Sequence, residues 1–271
     1  MFGRMSQFAS EIGQPYGLAC DEHGNLFVCD SFAGTVWKLS SRGKAALFAN
    51  TGGVPRGAKL GKNGDLLVCD AGLHAVIGVS PEGTLTKLVT ACGEEPLRAP
   101  FCIVVSKDGG YYFTDSGDSS ASRPGGAVYR VDAQGQVIRF ASGFSYPTGL
   151  ALSSDDRRLF LAERDSRRIH SFALRADGLA AAGRIHCELP NYGDGPYDMV
   201  FDDHGNLYVA CGGAGKVLVL DAWGSVTKEI IVDGADPVAL AFCGKALKTL
   251  AIGEITTGSV YSYKNDYAGS P

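Results

Sequence analysis

Apolar and polar positions alternate along this chain in a repeating phrase. In PYGLACDEHGNLFVCD, residues 15–30, an apolar run follows a proline, a polar turn rich in Asp, Asn and Gly interrupts it, and a second apolar run ends on an acid. Nearly the same phrase returns as GPYDMVFDDHGNLYVAC at residues 195–211. Four further segments keep the order: VPRGAKLGKNGDLLVCD, APFCIVVSKDGGYYFTD, YPTGLALSSDDRRLFLAE and DPVALAFCGKALKTLAIGE. Their prolines are Pro15, Pro55, Pro100, Pro147, Pro196 and Pro237, spaced 40, 45, 47, 49 and 41 residues apart. A period in the forties made of short strands is the mark of propeller blades.

A third run follows each phrase, as TVWKLS, AVIGVS, AVYRVD, RIHSFAL, KVLVLD and SVYSYK, and a fourth follows in AALFAN, LTKLVTA, VIRFASG and VTKEIIV. Turns such as DEHGN and DDHGN supply the positive-φ residues that a tight hairpin demands. The pattern predicts an all-β six-bladed β-propeller with four antiparallel strands per blade, a single domain over residues 1–271. The last blade lacks a fourth run at its C-terminal end, whereas MSQFAS, just before the first phrase, resembles one. This N-terminal strand is expected to close the ring, so that neither end leaves an open edge.

Composition sharpens this only in places. Apolar residues make up 45% of the chain, enough for a substantial core, and the 37 glycines suit many tight turns. A net charge of −4 with both signs interspersed leaves no basic footprint, so no nucleic acid is expected as a partner. No apolar run is long enough for a signal peptide or a membrane span, so no membrane partner is expected either. The eight cysteines lack a C-x-x-C pair and mostly sit inside apolar runs. That suits buried reduced thiols and a cytoplasmic protein. The oligomeric state is not readable from the pattern.

Strand order fixes which residues share a face. The first strand of each blade runs down the central channel and the second returns, so the post-proline residues and the ends of the second strands meet at one mouth. The DEHGN-type turns lie at the other end, which makes His23 and His204 turn residues. Lining the mouth are Tyr16, Arg56, Phe101, Thr148, Tyr197 and Val238, with Cys102 and Asp198 immediately behind two of them. The second strands end at Asp30, Asp70, Asp115, Glu163, Cys211 and Glu254; acids placed so ordinarily cap the following turn. The loop DSGDSSASRPGGAVYR (115–130) is much longer than its counterpart DSFAGTVWK and suits a lid or substrate wall. RDSRRIH (164–170) reads as a solvated outer loop bordering the mouth, placed to attract an anionic substrate. His170 and His186, in third and fourth strands, read as structural.

GDLLVCDAGLHAVIGVSPEGTLTKLV, DGGYYFTDS and YPTGLALSSDDRRLFLAE resemble the senescence-marker-protein/gluconolactonase family of six-bladed propellers, and the resemblance covers essentially the whole chain. YFTD is its most specific fragment. Strictosidine-synthase-like and NHL-repeat propellers share part of the pattern. The resemblance implies a divalent metal at the mouth, usually calcium, held by a Glu of the first blade, Asn residues of the third and fourth, and an Asp of the fifth. It also implies hydrolysis of lactones or related esters, the metal polarising the carbonyl. Position by position, those ligands are not matched here. Pro100-Phe101-Cys102 stands for Pro-Asn-Asp, Thr148-Gly149 for Asn-Gly, and Tyr197-Asp198 for Asp-Gly. Near the first-blade Glu stand Gly13 and Tyr16, with Glu11 two residues too early. No metal ligand and no cofactor is therefore expected.

Tyr16, Phe101 and Tyr197 would ring the channel with aromatic surface, and Arg56, Arg98 and His74 would add donors. An apolar pocket with a few polar anchors is how small-molecule sites are built; the other possibility is that the rings plug the channel. As an enzyme, the chain would use Tyr16, Tyr197, Arg56 and His74 as donors to an oxyanion or enolate, and Asp198 or Glu163 as general base. Phe101, Cys102, Thr148 and Glu163 would contact the small-molecule substrate. Three readings stay open: a metal-independent lactone or ester hydrolase; a metal-independent isomerase, lyase or cyclase acting on an aromatic or carboxylate-bearing molecule; and a non-catalytic propeller that binds a ligand or protein.

Overall fold

The computed structural model describes residues 5–270. Six four-stranded antiparallel sheets stand around a central channel, with one two-stranded ribbon, Ala91–Cys92 with Glu95–Pro96, in a crossing between blades. The innermost strands are Pro15–Cys20, Pro55–Leu60, Pro100–Val105, Pro147–Leu152, Gly195–Phe201 and Pro237–Cys243. Each packs against the next in chain order, and the first packs against the last. The ring is thus a six-bladed propeller. Proline lacks an N–H and suits the first position of a strand, where no ladder bond is lost.

The sixth sheet takes its outer strand from the other end of the chain. Met5–Ala9 pairs antiparallel with Ser259–Lys264, outside Thr249–Glu254 and Pro237–Cys243. This is the ring closure expected of MSQFAS.

A second repeating device is a register break just after each proline. It falls between Pro15 and Gly17, Pro55 and Ala58, Pro100 and Ile103, Pro147 and Leu150, Pro196 and Met199, and Pro237 and Ala239. A bulge bends the strand and re-aims one side chain. Around these breaks Tyr16, Arg56, Phe101 and Tyr197 converge on the channel, whereas Thr148 is buried against the neighbouring inner strand.

The core lies between blades. Side chains of one strand alternate between its two faces, so one strand serves two interfaces. From the first blade, Leu18 and Val28 pack against Ala239, Ala251 and Val260 of the sixth, while Ala19, Phe27 and Cys29 pack against Ala58, Val68 and Ile77 of the second. With both faces covered, LFVCD, LLVCD and YYFTD are buried at every position. Each Val or Leu so buried contributes about 1.5–3 kcal/mol. All eight cysteines are free thiols.

The echo between DEHGN and DDHGN has a local cause. Asp21 accepts the N–H of His23 (3.0 Å) and Asn25 (2.8 Å), and Asp202 accepts those of His204 (3.0 Å) and Asn206 (2.9 Å). Gly24 and Gly205, at φ +80° and +81°, complete the two turns. Both lie at the end of the channel opposite the mouth.

Candidate functional site

The acids that end the second strands are latches. Asp30, Asp70, Asp115 and Glu254 accept the backbone N–H of Gln14, Val54, Ala99 and Asp236, in each case the residue just before the inner-strand proline. The same carboxylates cap the turns that follow, through Phe32, Leu73, Gly117 and Thr256. In the fourth blade Glu163 accepts the N–H of Ser145 (2.7 Å) and pairs with His170 (2.7 Å). Burial raises its pKa, but the His170 bond and the Ser145 N–H outweigh burial and hold the carboxyl below its ordinary range. Glu163 is therefore spent on the scaffold and is neither a substrate contact nor a poised base.

Above these latches, four aromatic rings meet across the channel. Phe101 lies 6.1 Å from Tyr16, 6.0 Å from Tyr146 and 6.3 Å from Tyr197, between ring centres. Phe101 and Tyr197 are only 4% and 7% exposed. Beneath them the channel narrows to a void of about 10 Å³ lined by Leu18, Lys59, Cys102, Gly149 and Asp198. That holds one water at most. The expected open aromatic pocket is instead an aromatic floor, because rings from the first, third and fifth blades are wide enough to touch across the axis.

Two guanidinium groups rest on this floor. Arg56 sits 4.8 Å from the Tyr16 ring centre and 4.7 Å from that of Phe101. Arg164 sits 4.8 Å from Tyr146 and 5.4 Å from Tyr197. Burial raises the pKa of Tyr16 and of Tyr197, with the nearby arginines opposing it only in part. Both phenols thus remain neutral donors at pH 7. Sequence reasoning missed Tyr146 and placed Arg164 in a solvated loop bordering the mouth, suited to attract an anionic substrate, without its ring contacts. Tyr146 has φ +58°, a left-handed conformation that is costly for a bulky residue and tends to cluster at functional positions. Its N–H is held by Ser119 and its carbonyl by the N–H of Arg164.

The other candidates lie elsewhere. His74 is outside the ring of aromatics, its Nδ1 bonded to the Arg98 carbonyl at the surface. Thr148 is fully buried and donates to the Pro196 carbonyl (2.9 Å), joining two inner strands instead of facing a substrate. Cys102 lies under Phe101; its sulfur receives the Leu150 N–H (3.3 Å) and faces Asp198 Oδ1 at 3.7 Å. Burial and the Asp198 carboxylate push its thiol pKa up, which disfavours the thiolate that a nucleophile requires. Asp198 lines the channel below the floor and accepts the N–H groups of Met199 and Leu240, each at 2.9 Å. Burial pushes its carboxyl above the ordinary range, although Lys59 and those N–H groups oppose it. It braces the fifth blade against the sixth and does not reach the mouth.

Calcium takes six to eight oxygen ligands with carboxylates supplying charge. The six post-proline positions offer two phenols, a phenyl ring, a buried hydroxyl, a valine and a guanidinium, and Arg164 adds a second cation. Glu11 is exposed, and Asp198 points below the aromatic layer. This donor set does not fit the divalent ion that the resemblance implies. Among the described residues, the cluster with three potential ligands is Asp202, Asp203 and His204, in the turn at the opposite end. The roomiest concavity on the channel axis, about 390 Å³, also opens there, walled by Val104, Leu150, Met199 and Phe242. Its one cation is Lys59. The mouth, where phenols and guanidiniums converge, is the chemically equipped end.

Comparison with known proteins agrees with the architecture. Residues 46–256 match the family model described as SMP-30/gluconolactonase/LRE-like region. The lactonase drp35 of Staphylococcus saprophyticus is 32% identical over 233 residues, which cover 81% of this chain and 70% of that protein. Among solved structures, the gluconolactonase of Xanthomonas campestris superposes with a TM-score of 0.86 at 22% identity, over 97% of this chain and 89% of its own. A luciferin-regenerating enzyme superposes with a TM-score of 0.84 at 16% identity, over 99% and 98%. With residues 46–256 matching the family model and 81% of its length covered at 32% identity by a lactonase, the chain belongs to the SMP-30/gluconolactonase family.

Proposed function

We propose that this protein hydrolyses a lactone or related ester at the aromatic mouth, and does so without a metal. Membership of a family whose relatives include named lactonases supports the reaction class. The observation that carries the metal-free form is the pair of guanidiniums standing where a Lewis acid would have to be. In this reading water adds to the ester carbonyl carbon and the carbonyl oxygen takes up negative charge. The Tyr16 hydroxyl, kept protonated by burial, donates to that oxygen, and the two guanidiniums lower the cost of its charge. Asp194 is exposed, has no side-chain hydrogen bond among the described residues, and lies within electrostatic reach of the Tyr197 hydroxyl. It takes the proton of the attacking water. The acyl C–O bond then breaks, the departing alkoxide regains that proton, and a hydroxy acid leaves.

The test is pH-stat titration of γ- and δ-lactones with protein dialysed against a chelator. Turnover is expected to survive chelation, and added calcium is expected to leave both rate and melting temperature unchanged. Turnover that appears only with calcium would remove the metal-free mechanism. The void of about 10 Å³ favours a second reading, a non-catalytic binder whose rings plug the channel. Tyr16→Phe separates the two. An enzyme loses turnover but keeps ligand affinity, whereas a binder shows no turnover with any lactone before or after the change.

A further inference from the structure

Arg56 and Arg164 have an arrangement that the scaffold does not require. The guanidinium carbon of Arg56 lies 4.8 and 4.7 Å from two ring centres and that of Arg164 lies 4.8 and 5.4 Å from two others, so each group is packed against aromatic surface. Among the described residues, neither side chain makes a hydrogen bond. The Nε of each is shut off from solvent without a partner. The one carboxylate within 4 Å is Asp165, 3.8 Å from the Arg164 Nε and already accepting the Ala121 N–H. Asp236, the other acid close to Tyr16, is occupied by the Gly213 N–H and the Thr256 hydroxyl. Both guanidiniums lie within electrostatic reach of the same Tyr16 hydroxyl. Two like charges are therefore held near one point, with their donors unspent. Compare Arg130, the buried arginine of the third blade: it too lies on a ring, that of Tyr112, and its Nε too is buried without a partner, but its terminal nitrogens pair with Asp108 and donate to the Val131 carbonyl. Among the described residues, the terminal nitrogens of Arg56 and Arg164 make no such hydrogen bonds.

We infer that Arg56 and Arg164 form a carboxylate-binding clamp, so that the ligand of the mouth is a carboxylate-bearing small molecule. A guanidinium presents its donors in a planar fork that matches the two oxygens of a carboxylate. Contact with two aromatic rings attracts and confines the charged group without using its N–H donors. The rigid ring of Tyr146, held in its left-handed conformation, sets the position of the Arg164 fork. The inference deepens the hydrolase reading, on which it rests for the choice of face. It narrows the substrates to lactones or esters that carry a free carboxylate beside the scissile bond. The hydroxy-acid product would also be retained by the same clamp.

Binding of isophthalate, benzoate and benzamide, which share one ring and carry two, one and no negative charges, tests this by calorimetry. Affinity is expected to fall in that order, by about tenfold at each lost charge–fork contact, and to weaken as ionic strength rises. Arg56→Lys and Arg164→Lys keep the charge and lose the fork. Each is expected to weaken benzoate by about tenfold with the melting temperature little changed. Should a variant fail to fold, the charge series and its salt dependence in the unmodified protein still decide. Equal affinity for benzoate and benzamide would overturn the inference, as would inorganic phosphate binding more tightly than isophthalate, or Lys variants that bind benzoate as well as the parent. Binding without hydrolysis of any lactone would leave the clamp standing and remove the hydrolase reading. Hydrolysis of neutral lactones with no carboxylate preference would do the reverse.

Discussion

Glu254 offers the sharpest test of how the blades are held. It is fully buried at the end of the second strand of the sixth blade. Oε1 accepts the N–H of Asp236 (2.9 Å) and Thr256 (3.0 Å); Oε2 accepts the N–H of Thr257 (2.7 Å) and the Thr257 hydroxyl. Glu254→Ala removes the partner of three backbone N–H groups, while the Thr257 hydroxyl keeps that of Tyr261 as a partner. Each buried donor left without a partner costs about 1–3 kcal/mol, and water entering the vacated volume recovers part, which leaves about 3–5 kcal/mol. Glu254→Gln keeps the volume but places an amide NH₂ against two donors, for about 2 kcal/mol. In a chain of this size each kcal/mol moves the melting temperature by about 2–4 °C, so calorimetry at pH 7 should show a drop on the order of 10 °C for Ala and about 5 °C for Gln. Glu94→Ala, at an exposed acid, should leave it unchanged. The pH dependence adds a second check. Burial raises the Glu254 pKa, but the bonds from Thr257, Asp236 and Thr256 outweigh burial and bring it below the ordinary value. Stability from such a group is complete above the unfolded pKa and is lost as pH falls through the folded one. The gap between parent and Ala variant should therefore narrow below about pH 4. An Ala variant melting within about 2 °C of the parent, or a gap that ignores pH, would refute the latch.

Gly17→Ala should prevent folding or cost more than about 3 kcal/mol, because a Cβ there collides with the Arg56 carbonyl of the next inner strand; soluble yield and melting temperature report it. Thr148→Val removes a hydroxyl bonded to the Pro196 carbonyl and should cost about 1–2 kcal/mol without changing lactone turnover. Lost turnover at an unchanged melting temperature would return Thr148 to the site. Deleting residues 5–9 exposes the edge of Ser259–Lys264 and should yield a less stable, self-associating protein; size-exclusion chromatography showing a monomer that melts like the parent would contradict this.

The ring could be read from the sequence because its determinants are local and repeated. A proline stands at the start of each inner strand, an Asx turn with glycine follows in most blades, and an acid closes the second strand in five of the six. The closing strand was equally readable, since one blade lacked a run that the other end of the chain supplied. The site was harder to read. The bulge after each proline shows where residue 16, 101 or 197 points, and that much followed from counting. Whether Tyr16, Phe101 and Tyr197 enclose a space or fill it depends on ring orientations across the channel, which no local pattern encodes. Tyr146 carried a faint signal in SYPTG, as an aromatic residue just before an inner-strand proline. Arg164 followed the latching acid Glu163 and read as one charge of a basic loop bordering the mouth, with no sign of the rings beneath it. Its role depends on two rings from different blades, and so does that of Arg56. Asp198 and Glu163 were misread for the opposite reason: an acid near a mouth looks free until its backbone donors are known.

Closing the ring with the first strand also sets a timetable for synthesis. The hydroxyls of Ser6 and Ser262 that meet in that pairing are 256 positions apart in the chain. At a ribosomal rate of about 5–20 residues per second, the N-terminal segment waits on the order of 10–50 s for its partner to emerge. Five blades can collapse in that interval, each against its predecessor, while the first-made strand stays single. The last event in closing this ring is then an encounter between its earliest and its latest strand, and its rate depends on how well that waiting strand is kept from other edges.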